Sequence, residues 1–205
     1  MSQTQKLVVA THNKGKVKEF AEMMQDMDIA WLGLDDAGVT EDVLETGETF
    51  RENAVMKAVA YAQAVGLLTL ADDSGLEIDA LGGAPGVFSA RYGGAALSHA
   101  QRYQLVLQQL TDVPAPARTA RFCCVIVVAD GHGSILAEAE GVCEGLITQS
   151  PAGSGGFGYD PIFFLPGQGK TMAQLSSAEK HQVSHRGRAM RQLEPLLRRI
   201  LGPQL

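Results

Sequence analysis

A chain of 205 residues, 45% apolar and 20% charged, can bury one sizeable core or two closely packed lobes, and its composition is not that of a disordered protein. A formal net charge of −6 argues against general affinity for nucleic acid, and no basic, aromatic-studded stripe offers a more specific nucleic-acid surface. The opening MSQTQKLVVATHNKGK has an apolar run too brief for a signal segment or a membrane span, so no membrane partner is expected.

In chain order, KLVVA (Lys6 to Ala10) predicts a short buried strand, and THNKGK a turn. In KVKEFAEMMQDM, Val17, Phe20, Ala21 and Met24 recur at the spacing of an amphipathic helix. An acidic loop follows, with seven acidic residues and one Arg between Asp35 and Glu52. Thr49 and Glu52 form a capping box before a second helix, NAVMKAVAYAQAV, and Gly66 is placed to end it. LLTLA predicts a second buried strand, which runs directly into Asp72 and Asp73.

A Gly/Pro-rich loop, LGGAPGVFSARYGG, leads to a helix from about Ser98 with Tyr103, Val106, Leu107 and Leu110 on its apolar stripe. VPAPAR reads as a linker, RFCCVIVVAD as a long strand, GHGS as a turn and ILAEAEGVCEGLIT as one or two further strands. SPAGSGGFGYDP is a Gly-rich loop, and a last helix from about Arg188 presents Met190, Leu193, Leu197 and Ile200 on one face. Strands that alternate with helices and then cluster predict an α/β fold. The expected form is a mixed, twisted sheet with flanking helices, in two lobes around a central cleft, with residues 1–205 as a single domain. Cys123, Cys124 and Cys143 show no CxxC spacing and sit in apolar surroundings, as expected of reduced thiols in a cytoplasmic protein rather than a zinc site.

Five stretches carry residue types suited to chemistry. In ATHNKGKVKE a strand gives way to a helix start, where open N–H groups and the helix dipole favour an anion; Asn13, Lys14, Lys16 and Lys18 add donors and charge. The Walker A pattern is absent, and a loop with solvated lysines is the plainer reading. In LETGETF, Glu45 and Glu48 are candidate oxygen ligands for a hard cation such as Mg²⁺. Glu52 is occupied by its cap and Glu48 sits where a helix favours negative charge, so Glu45 is the better candidate.

Asp72 and Asp73 stand at the expected carboxyl end of a strand, where open α/β sheets place ligands. Successive strand residues face opposite ways, so one Asp is expected in the site and the other on a neighbour; Asp-Asp-Ser-Gly is also good turn chemistry. In GSGGFGYDPIFF the glycines leave room for a ligand, Phe157 or Tyr159 can stack on a base, and Asp160 can accept from a base edge. In SSAEKHQVSHRGRAM, Lys180, His185 and Arg186 supply donors, or simply an exposed basic face.

Taken in order, THNKGKVKE, ETGETFRENAVMKA, ADDSGLEIDALGGAPGVFSARY, GGFGYDPIFF and SHRGRAM resemble the inosine triphosphate pyrophosphatase family, over nearly the whole chain. His12 stands where many relatives carry Gly. The resemblance implies a two-lobed α/β fold, a homodimer, Mg²⁺ and a purine nucleoside triphosphate substrate (ITP, dITP or XTP) cleaved to monophosphate and pyrophosphate. It places the triphosphate on Thr11, His12, Asn13, Lys14, Gly15 and Lys16, with Lys57 nearby. It puts the metal on Glu45 and Asp73, makes Asp73 the proton acceptor, and makes Ser74, Phe157, Gly158, Tyr159, Asp160, Lys180, His185 and Arg186 substrate contacts. A non-catalytic nucleotide sensor and a phosphatase of small phosphate monoesters are the competing expectations. The first needs no aligned carboxylates, and the second releases orthophosphate.

Overall fold

The computed structural model describes residues 4–202. The elements in chain order are β1 (Gln5–Val9), α1 (Lys14–Met23), β2 (Ile29–Leu32), α2 (Phe50–Val65), β3 (Thr69–Ile78), α3 (His99–Gln109), β4 (Thr119–Ala129), β5 (Ile135–Ile147), β6 (Phe163–Leu165), β7 (Lys170–Thr171), α4 (Ser177–Val183) and α5 (His185–Leu201). The strands form a seven-stranded mixed sheet in the order β2-β1-β3-β4-β5-β6-β7. β1 pairs parallel with β2 and β3, while β6 pairs antiparallel with β5 and β7. The parallel pairs require crossovers, which α1 and α2 supply.

The chain divides into two compact units. The first holds residues up to Asp73, Cys124–Gly141 and the chain from Arg186 onward; the second holds Ser74–Cys123 and Val142–His185. In the first unit, alternation along the strands sorts the core onto two faces. Leu7, Val9, Leu70, Ile126 and Val128 pack with Phe20 of α1, with Met24 that caps it, and with Met190, Leu193 and Leu197 of α5. Val8, Ala71, Val125 and Val127 pack with Ala54, Ala58 and Ala62, an i, i+4, i+8 row of small residues that lays α2 against the strands. The capping box of Thr49 and Glu52 starts α2, and Gly66, in the left-handed conformation, ends it.

The core of the second unit gathers Leu76, Ile78, Val106, Leu107, Leu110, Phe122, Ile147, Ile162 and Phe163. Two buried arginines order its connections. Arg102 donates to the carbonyls of Tyr92, Gly94 and Leu97, and Arg118 to those of Leu110, Val113 and Thr148. The stretch read as a plain linker is thus tied at Arg118 to the carbonyl of Leu110, the residue that caps α3. All three cysteines are free thiols, with Cys124 and Cys143 buried; burial pushes the Cys123 thiol up to about 12.

Several boundaries differ from the sequence reading. The strand expected to stop at Ala71 continues through Asp72, Asp73 and Ser74 to Ile78, with Leu76 and Ile78 fully buried. The two aspartates therefore lie inside a strand, not beyond its end. IAWL forms β2 in what read as the head of the acidic loop. Ser176 and Glu179 form a capping box that starts α4, an element the sequence reading did not contain, and α5 begins at His185 rather than near Arg188.

Candidate active site

In the loop expected to receive an anion, two N–H groups at the start of α1 are partnered rather than open. After β1, the Asn13 side chain caps α1, its Oδ1 accepting from the N–H groups of Gly15 (2.8 Å) and Lys16 (3.3 Å). Thr11 Oγ1 accepts from the Asn13 N–H at 3.1 Å. His12 faces Asp35 through Nδ1 and Asp42 through Nε2, so the residue that departs from the common Gly is directed at the acidic loop. Lys14 and Gly15 are exposed in the first turn of α1, and Lys16 turns toward β3.

There the alternation of the strand separates the neighbouring carboxylates. Asp72 accepts from Lys16 Nζ (3.1 and 3.2 Å) and from Arg186 Nη2 (2.9 Å), and Arg186 Nη1 donates to Glu19 Oε2 (2.8 Å). Asp73 points the other way, toward α2. Its Oδ2 accepts from Asn53 Nδ2 (3.1 Å), and its Oδ1 lies 3.3 Å from Lys57 Nζ. Lys57 also donates to Glu45 Oε1 (2.6 Å) and to the Asp72 carbonyl (2.8 Å).

The two carboxyls consequently differ in chemistry. Burial would raise the proton affinity of Asp72, but Lys16, Arg186 and Lys57 outweigh it and hold Asp72 well below the ordinary carboxylate range. For Asp73, burial prevails: Lys57 and the Asn53 hydrogen bond oppose it, Glu45 and Asp72 reinforce it, and the carboxyl is raised. Lys57 loses some proton affinity to burial but gains more from Asp73, Asp72 and Glu45, so it stays a cation. One aspartate is thus held as an anion, while the proton affinity of its neighbour is raised.

Glu45 and Asp73 converge on one ammonium, the arrangement of two hard oxygen donors around a cation. Among the described residues no group of three or more His, Cys, Asp or Glu side chains could hold a metal. Two carboxylates nevertheless fit Mg²⁺, which keeps waters and takes further oxygens from substrate phosphates.

In the second unit, Asp160 Oδ2 accepts from the Phe157 N–H (2.9 Å) and from Lys180 Nζ (2.9 Å), and the Lys180 ammonium lies 4.6 Å from the centre of the Phe157 ring. Gly156 (φ 72°) permits this fold-back, because a Cβ there would meet Asp160 Oδ2 at 2.0 Å. Phe157 remains 41% exposed, leaving ring surface for a flat ligand. Tyr159 is instead buried, its hydroxyl donating to the Ser89 carbonyl at 2.9 Å, which makes it a support of the loop. His185 stacks on Phe122 with ring centres 4.7 Å apart, and Ser74 is half-buried in β3. The first unit thus assembles Lys16, Glu45, Lys57, Asp72, Asp73 and Arg186, and the second Phe157, Asp160 and Lys180. Sequence reasoning gave no role to Glu19 or Asn53. Glu19 closes the quoted THNKGKVKE stretch, whereas nothing in TFREN marked Asn53.

Residues 7–196 match the profile described as the Ham1 family. The dITP/XTP pyrophosphatase of Geobacillus kaustophilus is 47% identical over 96% of both chains, and that of Shigella flexneri 48% identical over 95% of this chain and 98% of its own. Among solved structures, a HAM1 protein from Coxiella burnetii superposes with a TM-score of 0.87 at 42% identity, covering 95% of this chain and 99% of the other. The Staphylococcus aureus Ham1 protein gives 0.85 at 39% identity, covering 96% and 100%.

Proposed function

The chain belongs to the Ham1 family, and from that premise we propose that it is a hydrolase cleaving the deaminated purine nucleoside triphosphates ITP, dITP and XTP to nucleoside monophosphate and pyrophosphate, clearing them from the nucleotide pool. The observation that carries this reading is the unequal pair on β3, with Asp72 held as an anion and Asp73 raised in proton affinity beside Lys57 and Glu45.

The residues support an in-line hydrolysis. The start of α1 and the ammonium groups of Lys16 and Lys57 receive the triphosphate and spread its charge. Asp73 orients a water and takes its proton as the water oxygen bonds to the α-phosphorus. The bond from the α-phosphorus to the α–β bridging oxygen breaks, and pyrophosphate leaves with that oxygen. Mg²⁺, when bound by Glu45 and Asp73, supplies charge neutralisation along the phosphates. Asp72 does not exchange protons; it fixes Lys16 and Arg186 in place.

In the second unit, Phe157 offers its exposed ring to the base, with Gly158 and Tyr159 shaping the loop. Lys180 and His185 offer donors to the 6-oxo group of hypoxanthine or xanthine. Adenine presents an N–H₂ there, leaving donors unpaired, which disfavours ATP. Arg186 already gives Nη1 to Glu19 and Nη2 to Asp72, so any contact it makes to substrate is coupled to that carboxylate. The reading includes a homodimer and a cytoplasmic location. Among the described residues no helix is long and apolar enough to cross a membrane.

The test is product analysis with Mg²⁺ and ITP, dITP, XTP, ATP or GTP. Pyrophosphate and monophosphate from the first three, little from ATP and GTP, and silence in EDTA are expected. Orthophosphate as the product would mean a monoester phosphatase, and binding without turnover a sensor.

A further inference from the structure

Asn53 is completely buried in the first turn of α2 and joins two parts of the candidate site. Its Oδ1 accepts from the Gly47 N–H at 2.8 Å, and its Nδ2 donates to Asp73 Oδ2 at 3.1 Å. The orientation of this amide is set by chemistry, because a backbone N–H can only donate. The oxygen must face Gly47, and the nitrogen must then face the carboxylate. Gly47 is required for close approach rather than for an unusual backbone angle, since a Cβ there would meet Asn53 Oδ1 at 2.7 Å. Asp73 therefore has one oxygen secured and the other, Oδ1, turned toward Lys57 at a longer 3.3 Å. The loop secured through Gly47 is the one that carries Glu45.

We propose that Asn53 is a positioning residue for the hydrolysis, with Gly47 fixing its amide so that Nδ2 holds Asp73 Oδ2 and sets the direction in which Oδ1 faces, beside Lys57. This inference rests on the hydrolase reading above and deepens it. It assigns a task to a side chain that acts through Asp73.

Two substitutions separate the halves of the amide. Asn53→Asp keeps an acceptor for the Gly47 N–H but puts a second carboxyl where the donor to Asp73 was; Asn53→Ala removes both contacts without adding charge. The assay is kcat and KM for dITP with Mg²⁺, alongside a urea unfolding midpoint for each variant. Asn53→Asp is expected to fold, to lose about 10–100-fold in kcat and to keep KM within about twofold of wild type. Gly47→Ala, which displaces the amide, is expected to share the kcat defect. Near-wild-type kcat in Asn53→Asp would overturn the proposal, as would a raised KM at unchanged kcat, which would make Asn53 a binding residue. Unfolding of both Asn53 variants would overturn it too, by making the residue a folding determinant. Wild-type protein that releases no pyrophosphate from dITP would instead remove the hydrolase reading, and the proposal with it.

Discussion

Replacing Asp72 with Asn retains the shape of the side chain and deletes its charge, which isolates what the buried carboxylate does for the fold. The Asp72 side chain is 2% exposed and that of Arg186 1%, so their 2.9 Å pair has little solvent to screen it. Removing one partner of a buried pair costs about 3–5 kcal/mol, because the other charge stays buried. Arg186 keeps Glu19 at 2.8 Å, and Lys16, with 22% of its side chain exposed, can turn to water. Those escapes place Asp72→Asn near the lower end, at about 3 kcal/mol. For a chain of this size, that corresponds to a Tm lowered by about 6–12 °C. The assay is urea unfolding at fixed protein concentration, with a lower midpoint and an unchanged m value expected. Arg51→Gln, which breaks the half-exposed Arg51–Glu138 pair, serves as the comparison and should move the midpoint far less. A loss below about 1 kcal/mol in Asp72→Asn would refute the claim that this carboxylate is a fixed structural anion.

Asp73→Asn should behave in the opposite way. Burial disfavours its ionised form, so the amide should leave the urea midpoint unchanged or raise it while pyrophosphate release from dITP disappears; near-normal turnover would remove Asp73 from the proton-accepting role. His185→Ala should erode the preference for ITP over ATP, read as the ratio of kcat/KM values, and an unchanged ratio would exclude it from base reading. Glu179 is lowered to about 2 by hydrogen bonds from the Ser176 backbone and hydroxyl and by Lys170. A depressed folded value means that its contribution to stability is complete above the unfolded pKa and is lost as pH falls through about 2. A carboxyl NMR titration should find that low midpoint in the folded protein, and an ordinary glutamate value would contradict the capping geometry of α4.

Much of this was legible in the sequence because local signals act locally. The capping box at Thr49, the glycine at 66 and the apolar stripes of α1, α3 and α5 each report on a few neighbouring residues, and the structure forms them as read. What stayed hidden depends on partners distant in sequence. Asp72 and Asp73 looked like the end of a strand because burying charge is costly unless it is paired. Lys16, Lys57, Asn53 and Arg186, which make the burial tolerable, come from three other helices. β2 escaped notice since IAWL is short and only partly buried. Tyr159 and Phe157 looked equivalent in a loop of glycines, and only the Ser89 carbonyl tells them apart.

Lys57 illustrates a last point. Its ammonium already faces Glu45 Oε1, the Asp72 carbonyl and Asp73 Oδ1, which accounts for every hydrogen it can donate. A phosphate oxygen reaching this lysine must substitute for one of those oxygens, so the encounter is an exchange of partners. The net gain from an exchange is far smaller than the gross strength of the new contact. The same three oxygens stand ready to retake the lysine when pyrophosphate departs. A phosphate bound at Lys57 would be held by the difference between two contacts, not by the whole of one.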